Sequence, residues 1–138
     1  MDIATRCELL ARDVAATGLD LPWAIRDLDG TIWSTTERPG GLDYLDEYDP
    51  DEAMVIVDGR TKVLDGDAAD EIVTDAADEI ATVIMDELNR PWPELPGWVV
   101  LQVALVDGEI VWRHKTRVVC RLGDLAAHLH GPRLPNVS

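Results

Sequence analysis

Three Asp-Gly dipeptides constrain most strongly what this chain folds into. They are Asp29-Gly30, Asp58-Gly59 and Asp107-Gly108, and each stands between short segments rich in apolar, β-branched or aromatic residues. Asp-Gly readily adopts the positive φ angles of a tight type I′ turn, the turn that joins two antiparallel strands. Each dipeptide therefore predicts a β-hairpin.

The segments that flank these turns predict three strand pairs and an antiparallel sheet. The pairs are Pro22–Leu28 with Thr31–Thr36, Ala53–Val57 with Arg60–Leu64, and Trp98–Val106 with Glu109–His114. Trp98–Val106 is apolar at nearly every position, which is typical of a strand buried on both faces. We therefore expect a central strand there, with a second chain as one candidate for its outer cover.

Three segments repeat apolar residues every three or four positions, the spacing that lines one face of a helix. They are Asp2–Thr17, Asp67–Asn89 and Asp124–His130. With the hairpins they give the order α-ββ-ββ-α-ββ-α, which predicts an α+β fold with helices packed on one face of an antiparallel sheet. The length of 138 residues suits one domain, residues 1–138.

The charge balance excludes two classes of partner. The chain carries 27 Asp and Glu against 12 Lys and Arg, a formal net charge of -15 at pH 7. Basic surfaces bind nucleic-acid phosphates and anionic lipids, so we expect no direct nucleic-acid binding and no membrane binding. No apolar run reaches the roughly 18 residues that a membrane-spanning helix needs.

The two cysteines indicate the compartment. Cys7 and Cys120 are too few for a disulfide framework, and no signal-peptide pattern precedes them. Cys7 falls in the apolar stripe of the first predicted helix, which favours a packed thiol over a reactive one. We therefore expect a cytoplasmic protein in a reducing environment.

The residue types that bind metals do not form a recognisable ligand set. Cys7, Cys120, His114, His128 and His130 contain no CxxC or HExxH spacing. No glycine pattern of a phosphate-binding loop occurs either. We expect neither a metal nor a cofactor.

The segment Asp27-Leu28-Asp29-Gly30-Thr31 carries a DxDGT pattern after a predicted strand. It resembles motif I of the haloacid-dehalogenase phosphatase superfamily. The resemblance implies a Mg²⁺-dependent phosphohydrolase in which Asp27 is the nucleophile and Asp29 the general acid/base. The same residues also form one of the three predicted turns. Parallel strands around Asp27 would favour the enzyme, and a hairpin would favour the turn.

Three further segments resemble small uncharacterised proteins of actinobacteria. They are Trp92-Pro93-x-x-Pro96, Asp107-Gly108-x-x-Val111-Trp112 and Val118-Val119-x-x-Leu122-Gly123-x-Leu125. The family pattern comprises a WPxCPxH segment, a DGRxVW hairpin and a closing V(V/A)xIGxL stretch. This chain departs from the Cys and His positions of that pattern, so any metal site that it implies is lost. The resemblance implies a fold and no activity.

The acidic residues are concentrated in one part of the chain. Gly41–Asn89 contains 16 acids and two bases, whereas Arg113–Arg133 contains five bases and one acid. Like charges one turn apart on a helix repel by about 0.2–0.5 kcal/mol per pair, so an all-acidic helix suits solubility, salt adaptation or a basic partner. The candidate binding residues on this helix are Asp70, Glu71, Asp75, Asp78 and Glu79.

The segment Gly41–Pro50 interleaves aromatic and aliphatic residues with acids. Its candidate binding residues are Tyr44, Asp46, Glu47 and Tyr48. Acid-flanked aromatic side chains suit docking onto a basic, grooved protein surface. They also suit packing of the segment onto its own domain.

A smaller group of basic residues occurs near the C-terminus. Arg113, Lys115 and Arg117 alternate in the sequence, and residues two apart on one strand share a face. We therefore expect these three side chains to lie together. Such a stripe suits contact with the acidic half of the same chain, with a second copy or with an anionic ligand.

These patterns favour a non-enzymatic acidic protein-interaction domain, of the inhibitor, immunity or regulatory accessory type. Its acidic helix and the 41–50 segment would bind a basic protein surface. One alternative is the Mg²⁺-dependent phosphohydrolase that uses Asp27 and Asp29. The other is a homo-oligomeric structural module, such as a homodimer, in which self-association across a two-fold axis covers the strand Trp98–Val106 or its neighbour strand.

Overall fold

A computed structural model describes residues 3–18, 22–28, 31–35, 52–58, 60–64, 66, 68–89, 91–95 and 99–129. The described residues form the helices α1 (Ile3–Ala16), α2 (Ala69–Leu88) and α3 (Leu125–Leu129). The strands are β1 (Trp23–Arg26), β2 (Ile32–Ser34), β3 (Ala53–Val57), β4 (Arg60–Leu64), β5 (Glu94–Leu95), β6 (Val99–Val100), β7 (Gln102–Val106), β8 (Glu109–His114) and β9 (Arg117–Arg121). The α+β class and the predicted order of elements are confirmed. The structure also contains the short strand pair β5–β6 and the strand β9, which the sequence patterns did not predict.

All three predicted hairpins are present. β1 pairs antiparallel with β2, β3 with β4, and β7 with β8. The turn residues Asp58 and Asp107 have φ angles of 49° and 52°, and Gly108 has a φ of 80°. These positive angles are the ones that a type I′ turn requires and that Asp-Gly accepts with little strain. Asp29 and Gly30 lie outside the described residues.

The strands are distributed among separate sheets and do not form the one sheet expected from the three hairpins. The strand orders are β2-β1-β3-β4, β5-β6 and β7-β8-β9. α2 follows the second hairpin and packs against β3 and β4 of the first sheet and also against β7 and β8. The third hairpin therefore packs against the helix and does not extend the first sheet.

The prediction of a central strand over Trp98–Val106 is wrong. Leu101 lies between β6 and β7, and its backbone N–H donates to the carbonyl of Pro93 at 2.8 Å. β7 lies at the edge of its described sheet, and its Leu105 is 38% exposed. Among the described strands, the two internal strands of the first sheet, β1 and β3, are buried at every residue.

The core lies mainly between α2, α1 and the two larger sheets. α2 buries eight residues: Ile72, Val73, Ala76, Ala77, Ile80, Ala81, Val83 and Ile84. Trp23 and Trp112 are both 0% exposed, and they contribute large apolar surfaces from the two sheets. Cys7 is also fully buried and unpaired, which confirms the prediction of a packed thiol.

The three basic residues Arg113, Lys115 and Arg117 do not share one strand face. β8 ends at His114, the chain turns at Lys115 with a φ of 57°, and Arg117 begins β9. This turn contains no glycine, so the Asp-Gly rule could not detect it. The three residues therefore do not form the expected basic stripe, because the chain reverses at Lys115 into a hairpin of β8 and β9.

Candidate functional site

The five acidic residues predicted to bind a partner lie along α2, and the structure divides them between different environments. Glu71 and Asp78 are exposed, whereas Asp70, Asp75 and Glu79 are half-buried. Positions 71, 75 and 78 are four and three residues apart, so their side chains share one stripe of the helix surface. We call Glu71, Asp75 and Asp78 the outer acidic stripe.

Two of the acids serve the N-terminus of α2. The Oε1 of Glu71 accepts a hydrogen bond from the backbone N–H of Ala68 at 3.3 Å, and the Oδ1 of Asp70 accepts one from the N–H of Glu71 at 2.9 Å. The first N–H groups of a helix have no partner within the helix, and its dipole favours negative charge at this end. Asp70 is therefore engaged within the helix, although the sequence analysis assigned it to binding.

The acids on one flank of α2 are neutralised by β4. The Nη1 of Arg60 lies 2.9 Å from Oδ2 of Asp86, and Nζ of Lys62 lies 3.2 Å from Oε2 of Glu79. The hydrogen bond from Arg60 to Asp86 raises the pKa of the guanidinium, and the charge of the same carboxylate adds to this shift. Arg60 and Lys62 are two residues apart on the strand, so both face the helix. Glu79 is therefore paired within the chain.

Cross-strand pairing explains why these two bases face α2. Lys62 lies opposite Val55 and Arg60 opposite Val57 in the β3–β4 register. Both valines belong to the core that packs against α2, and directly opposite residues of an antiparallel pair share a face. Arg60 and Lys62 are the only two bases of Gly41–Asn89, and both form ion pairs with acids of the same region.

A shallow pocket of about 260 Å³ lies beside the outer acidic stripe. Glu71, Thr74 and Asp75 of α2 line it together with Gly66 and Leu105. A Cβ atom at residue 66 would lie 2.6 Å from the Cβ of Glu71, so only glycine lets the chain pass this close to the helix. The pocket therefore brings carboxylates of α2 next to an exposed leucine on the edge strand β7.

The second predicted binding segment, Gly41–Pro50, falls outside the part of the chain that the structure describes. Tyr44, Asp46, Glu47 and Tyr48 lie outside the described residues, and so does Asp29 of the DxDGT segment. The contribution of these residues to a site stays a prediction. The described part of the acidic surface is the outer stripe and the pocket beside it.

Asp27 lies at the end of β1, next to a hairpin. Its backbone N–H donates to the carbonyl of Thr31 at 2.8 Å, and its Oδ1 accepts a hydrogen bond from the N–H of Leu28 at 2.7 Å. β1 is antiparallel to both of its neighbours, β2 and β3. The topology around Asp27 is therefore the one that favours a turn, and it lacks the parallel strands that the phosphohydrolase requires.

Asp13 is a buried carboxylate that the sequence analysis did not single out. It is 0% exposed, and it accepts hydrogen bonds from Nε1 of Trp112 at 2.7 Å and from the backbone N–H groups of Gly123 at 2.6 Å and Leu125 at 3.1 Å. Its position in the buried stripe of α1 is the one sequence signal that would have identified it, because an acid rarely faces a core unless it is paired. These hydrogen bonds stabilise the fold, because they connect α1 to β8 and to the start of α3.

Among the described residues, no group of three His, Cys, Asp or Glu side chains is arranged to hold a metal ion. None of the described helices combines the length and apolar composition needed to cross a membrane. Comparisons with protein-family models, with curated proteins and with solved structures found no match.

Proposed function

We propose that the protein is a non-enzymatic interaction domain that binds a basic protein through the outer acidic stripe of α2 and the adjacent edge of β7. It would act as an inhibitor, an immunity-type protein or a regulatory accessory protein. The observation that carries this proposal is the pocket in which Glu71 and Asp75 flank the exposed side chain of Leu105.

Charge supports a basic partner. α2 contains seven acids and no base, and the two bases of β4 are engaged with Glu79 and Asp86, outside the outer stripe. Exposed carboxylates attract a basic surface over several ångströms, and this attraction speeds association and weakens as salt is added. These two ion pairs do not include the outer stripe, so the negative charge of its carboxylates would attract a basic partner.

The edge of β7 supports a partner that also contributes apolar contacts. Within the described residues β7 pairs only with β8, and Leu105 exposes 38% of its surface. An exposed strand edge offers backbone N–H and C=O groups to an extended segment of another chain. An extended segment of the partner with alternating basic and apolar residues would hydrogen-bond to the edge of β7. Its basic side chains would pair with the carboxylates of the outer stripe.

The same pocket argues against self-association through β7. A two-fold contact uses the same patch of both chains, so each chain would present Glu71 and Asp75 at the interface. Like charges across an interface oppose binding. A basic partner is therefore favoured over a second copy at this edge. The proposal includes a cytoplasmic location, because two buried, unpaired thiols suit a reducing compartment.

The test is affinity capture from the source organism with three forms of the protein. One form is wild type. The second carries Glu71→Gln, Asp75→Asn and Asp78→Asn, which neutralise the outer stripe and retain side chains that can hydrogen-bond. The control carries Glu8→Gln, Asp58→Asn and Asp107→Asn, which remove the same number of charges from exposed positions elsewhere. Asn tolerates the positive φ of Asp58 and Asp107, so the control retains its turns.

We expect wild type and the control to retain one basic protein that the stripe variant loses. Raising the salt from about 0.1 M to about 1 M shortens the Debye length from about 10 Å to about 3 Å and should release it. A further variant, Leu105→Ser, should weaken binding of the same protein at both salt concentrations. A partner lost equally from the stripe variant and the control, or no salt-sensitive partner, contradicts the proposal.

A further inference from the structure

A second pocket lies on another part of the molecule, between α1, the start of β8 and the end of β9. Its volume is about 120 Å³. The charged residues in its wall are Arg6, Glu109 and Arg121. The apolar residues are Leu9, Ile110 and Leu122. None of the acids of α2 lines it, so this pocket is independent of the proposed protein-binding surface.

Arg6 lines this pocket and carries a buried hydrogen-bond donor. Its Nε is buried and has no hydrogen-bond partner among the described residues. A buried donor without an acceptor carries a free-energy cost, and native structures contain few of them. An acceptor bound in the pocket would remove this cost once the Arg6 side chain rotates and exposes this nitrogen.

The charges of the pocket leave one positive charge in excess. Arg121 contacts Glu109 with 3.4 Å between Nε and Oε2, and both side chains are more than half exposed. Such an exposed pair is weak, because water and salt screen it. Two guanidinium groups and one carboxylate therefore favour a ligand with a single negative charge, and the carboxylate of Glu109 disfavours a dianion such as phosphate.

The size and the apolar wall restrict the ligand further. A cavity of about 150 Å³ holds a six-carbon ring, so about 120 Å³ suits a molecule of roughly five heavy atoms. Leu9, Ile110 and Leu122 offer apolar contacts to a short hydrocarbon chain. A guanidinium donates two parallel hydrogen bonds to a carboxylate more readily than to most other groups.

We infer that this pocket binds a small monocarboxylate with a short apolar chain. The carboxylate lies between Arg6 and Arg121, and the chain packs against Leu9, Ile110 and Leu122. The amide of propionic acid has nearly the same shape as propionate and no charge, so the pair separates recognition of the carboxylate from filling of the cavity.

The experiment is a titration of the full ¹⁵N-labelled chain with propionate, followed by amide chemical shifts of residues 108–110 and 121–123. Sodium propionate replaces sodium chloride, so the ionic strength stays constant. Propionamide and inorganic phosphate are titrated in parallel. The variant Arg6→Gln removes one guanidinium, and Arg12→Gln is its matched control, because Arg12 is exposed on the same helix and does not line the pocket.

We expect propionate to give saturable shifts with a dissociation constant in the millimolar range, as befits a ligand of so few atoms. Arg6→Gln should weaken this binding by about tenfold or more, since it removes a charge-assisted hydrogen bond, and Arg12→Gln should not change it. Arg121→Gln gives a second, independent loss of binding if Arg6→Gln does not fold.

Three results would each overturn the inference. The first is the absence of saturable shifts with propionate. The second is binding of propionamide or phosphate as tight as that of propionate. The third is unchanged binding in folded Arg6→Gln or Arg121→Gln. None of these outcomes depends on the partner of α2, so the inference and the proposed function fail or succeed separately.

Discussion

The carboxylate of Asp13 in α1 accepts a 2.7 Å hydrogen bond from the indole Nε1 of Trp112 in β8, 99 residues further along the chain. The same carboxylate accepts hydrogen bonds from the backbone N–H of Gly123 and of Leu125, the first residue of α3. One buried side chain therefore connects the first helix to the last sheet and to the last helix.

We expect Asp13→Ala to lower the free energy of unfolding by about 3 kcal/mol or more, because it leaves three buried donors without an acceptor. Urea unfolding measures the change. Glu8→Ala, at an exposed position of the same helix, is the control and should change stability by no more than about 0.5 kcal/mol. Equal effects of the two substitutions would show that the hydrogen bonds of Asp13 contribute little.

The stability conferred by Asp13 should depend on pH. Burial raises the pKa of Asp13 above its ordinary value of 3.8, and the charge of Asp124 adds to the rise, while the hydrogen bonds from Gly123, Trp112 and Leu125 oppose it. The folded state therefore binds this proton more readily than the unfolded state. The resulting stabilisation is complete below pH 3.8, the ordinary pKa of the group. It is lost as the pH rises through the higher pKa that Asp13 has in the folded state.

The difference between wild type and Asp13→Asn isolates this contribution, because asparagine does not titrate. We expect the free energy of unfolding of wild type, minus that of the variant, to increase as the pH falls from neutrality towards 4. The slope should not exceed about 1.4 kcal/mol per pH unit for one proton. Urea unfolding at a series of pH values measures it, and a difference that decreases over this range would contradict the sign.

Both cysteines should be unreactive in the folded protein. Burial raises the pKa of Cys7 to about 12, with a further contribution from Asp27, and it raises the pKa of Cys120 to about 12, with contributions from Asp13 and Asp124. A rise from 9.0 to about 12 lowers the thiolate fraction at pH 8 about a thousandfold. We expect alkylation by iodoacetamide to be slower by at least that factor than in urea-unfolded protein.

Mass spectrometry of alkylated samples measures these rates. Val118→Cys is the control, because Val118 is 46% exposed and lies on the same strand as Cys120. The introduced thiol should react rapidly in the folded state while Cys7 and Cys120 do not. Rapid alkylation of either native cysteine in folded protein would show that its thiol is accessible and ionised.

Gly123 should tolerate alanine much less well than Gly108 does. Both residues have positive φ angles, 100° and 80°, so alanine at either site costs about 1–2 kcal/mol in backbone strain. A Cβ at Gly123 would also lie 2.6 Å from Cδ2 of Leu9, whereas one at Gly108 would contact nothing within 4 Å. We expect Gly123→Ala to cost at least about 1 kcal/mol more than Gly108→Ala in urea unfolding.

Combining Gly123→Ala with Leu9→Ala tests the origin of this difference. Removing the leucine side chain relieves the clash, so the double variant should lose less stability than the sum of the two single variants. Strict additivity would mean that the contact with Leu9 is not what restricts this position.

The sequence by itself predicts the parts of the fold that depend on neighbouring residues. The Asp-Gly turns give the three hairpins, and the apolar period gives α2 within two residues of its ends, Ala69 and Leu88. These features arise from backbone conformations and contacts a few residues apart, which a local pattern contains. The fourth hairpin was missed because its turn, Lys115-Thr116, lacks a glycine that would mark it.

The candidate surface was predictable only in part, because local sequence patterns do not contain contacts between residues far apart in the chain. The sequence alone determined that α2 is acidic on its exposed side and apolar on the other, and that the chain is an α+β domain built from hairpins. Only the tertiary structure decided that Glu79 is paired with Lys62, that β7 lies at a sheet edge beside Glu71, and that Asp13 is buried against Trp112. These relationships join residues far apart in the chain, and they depend on how helices and sheets pack in space, which no local spacing encodes.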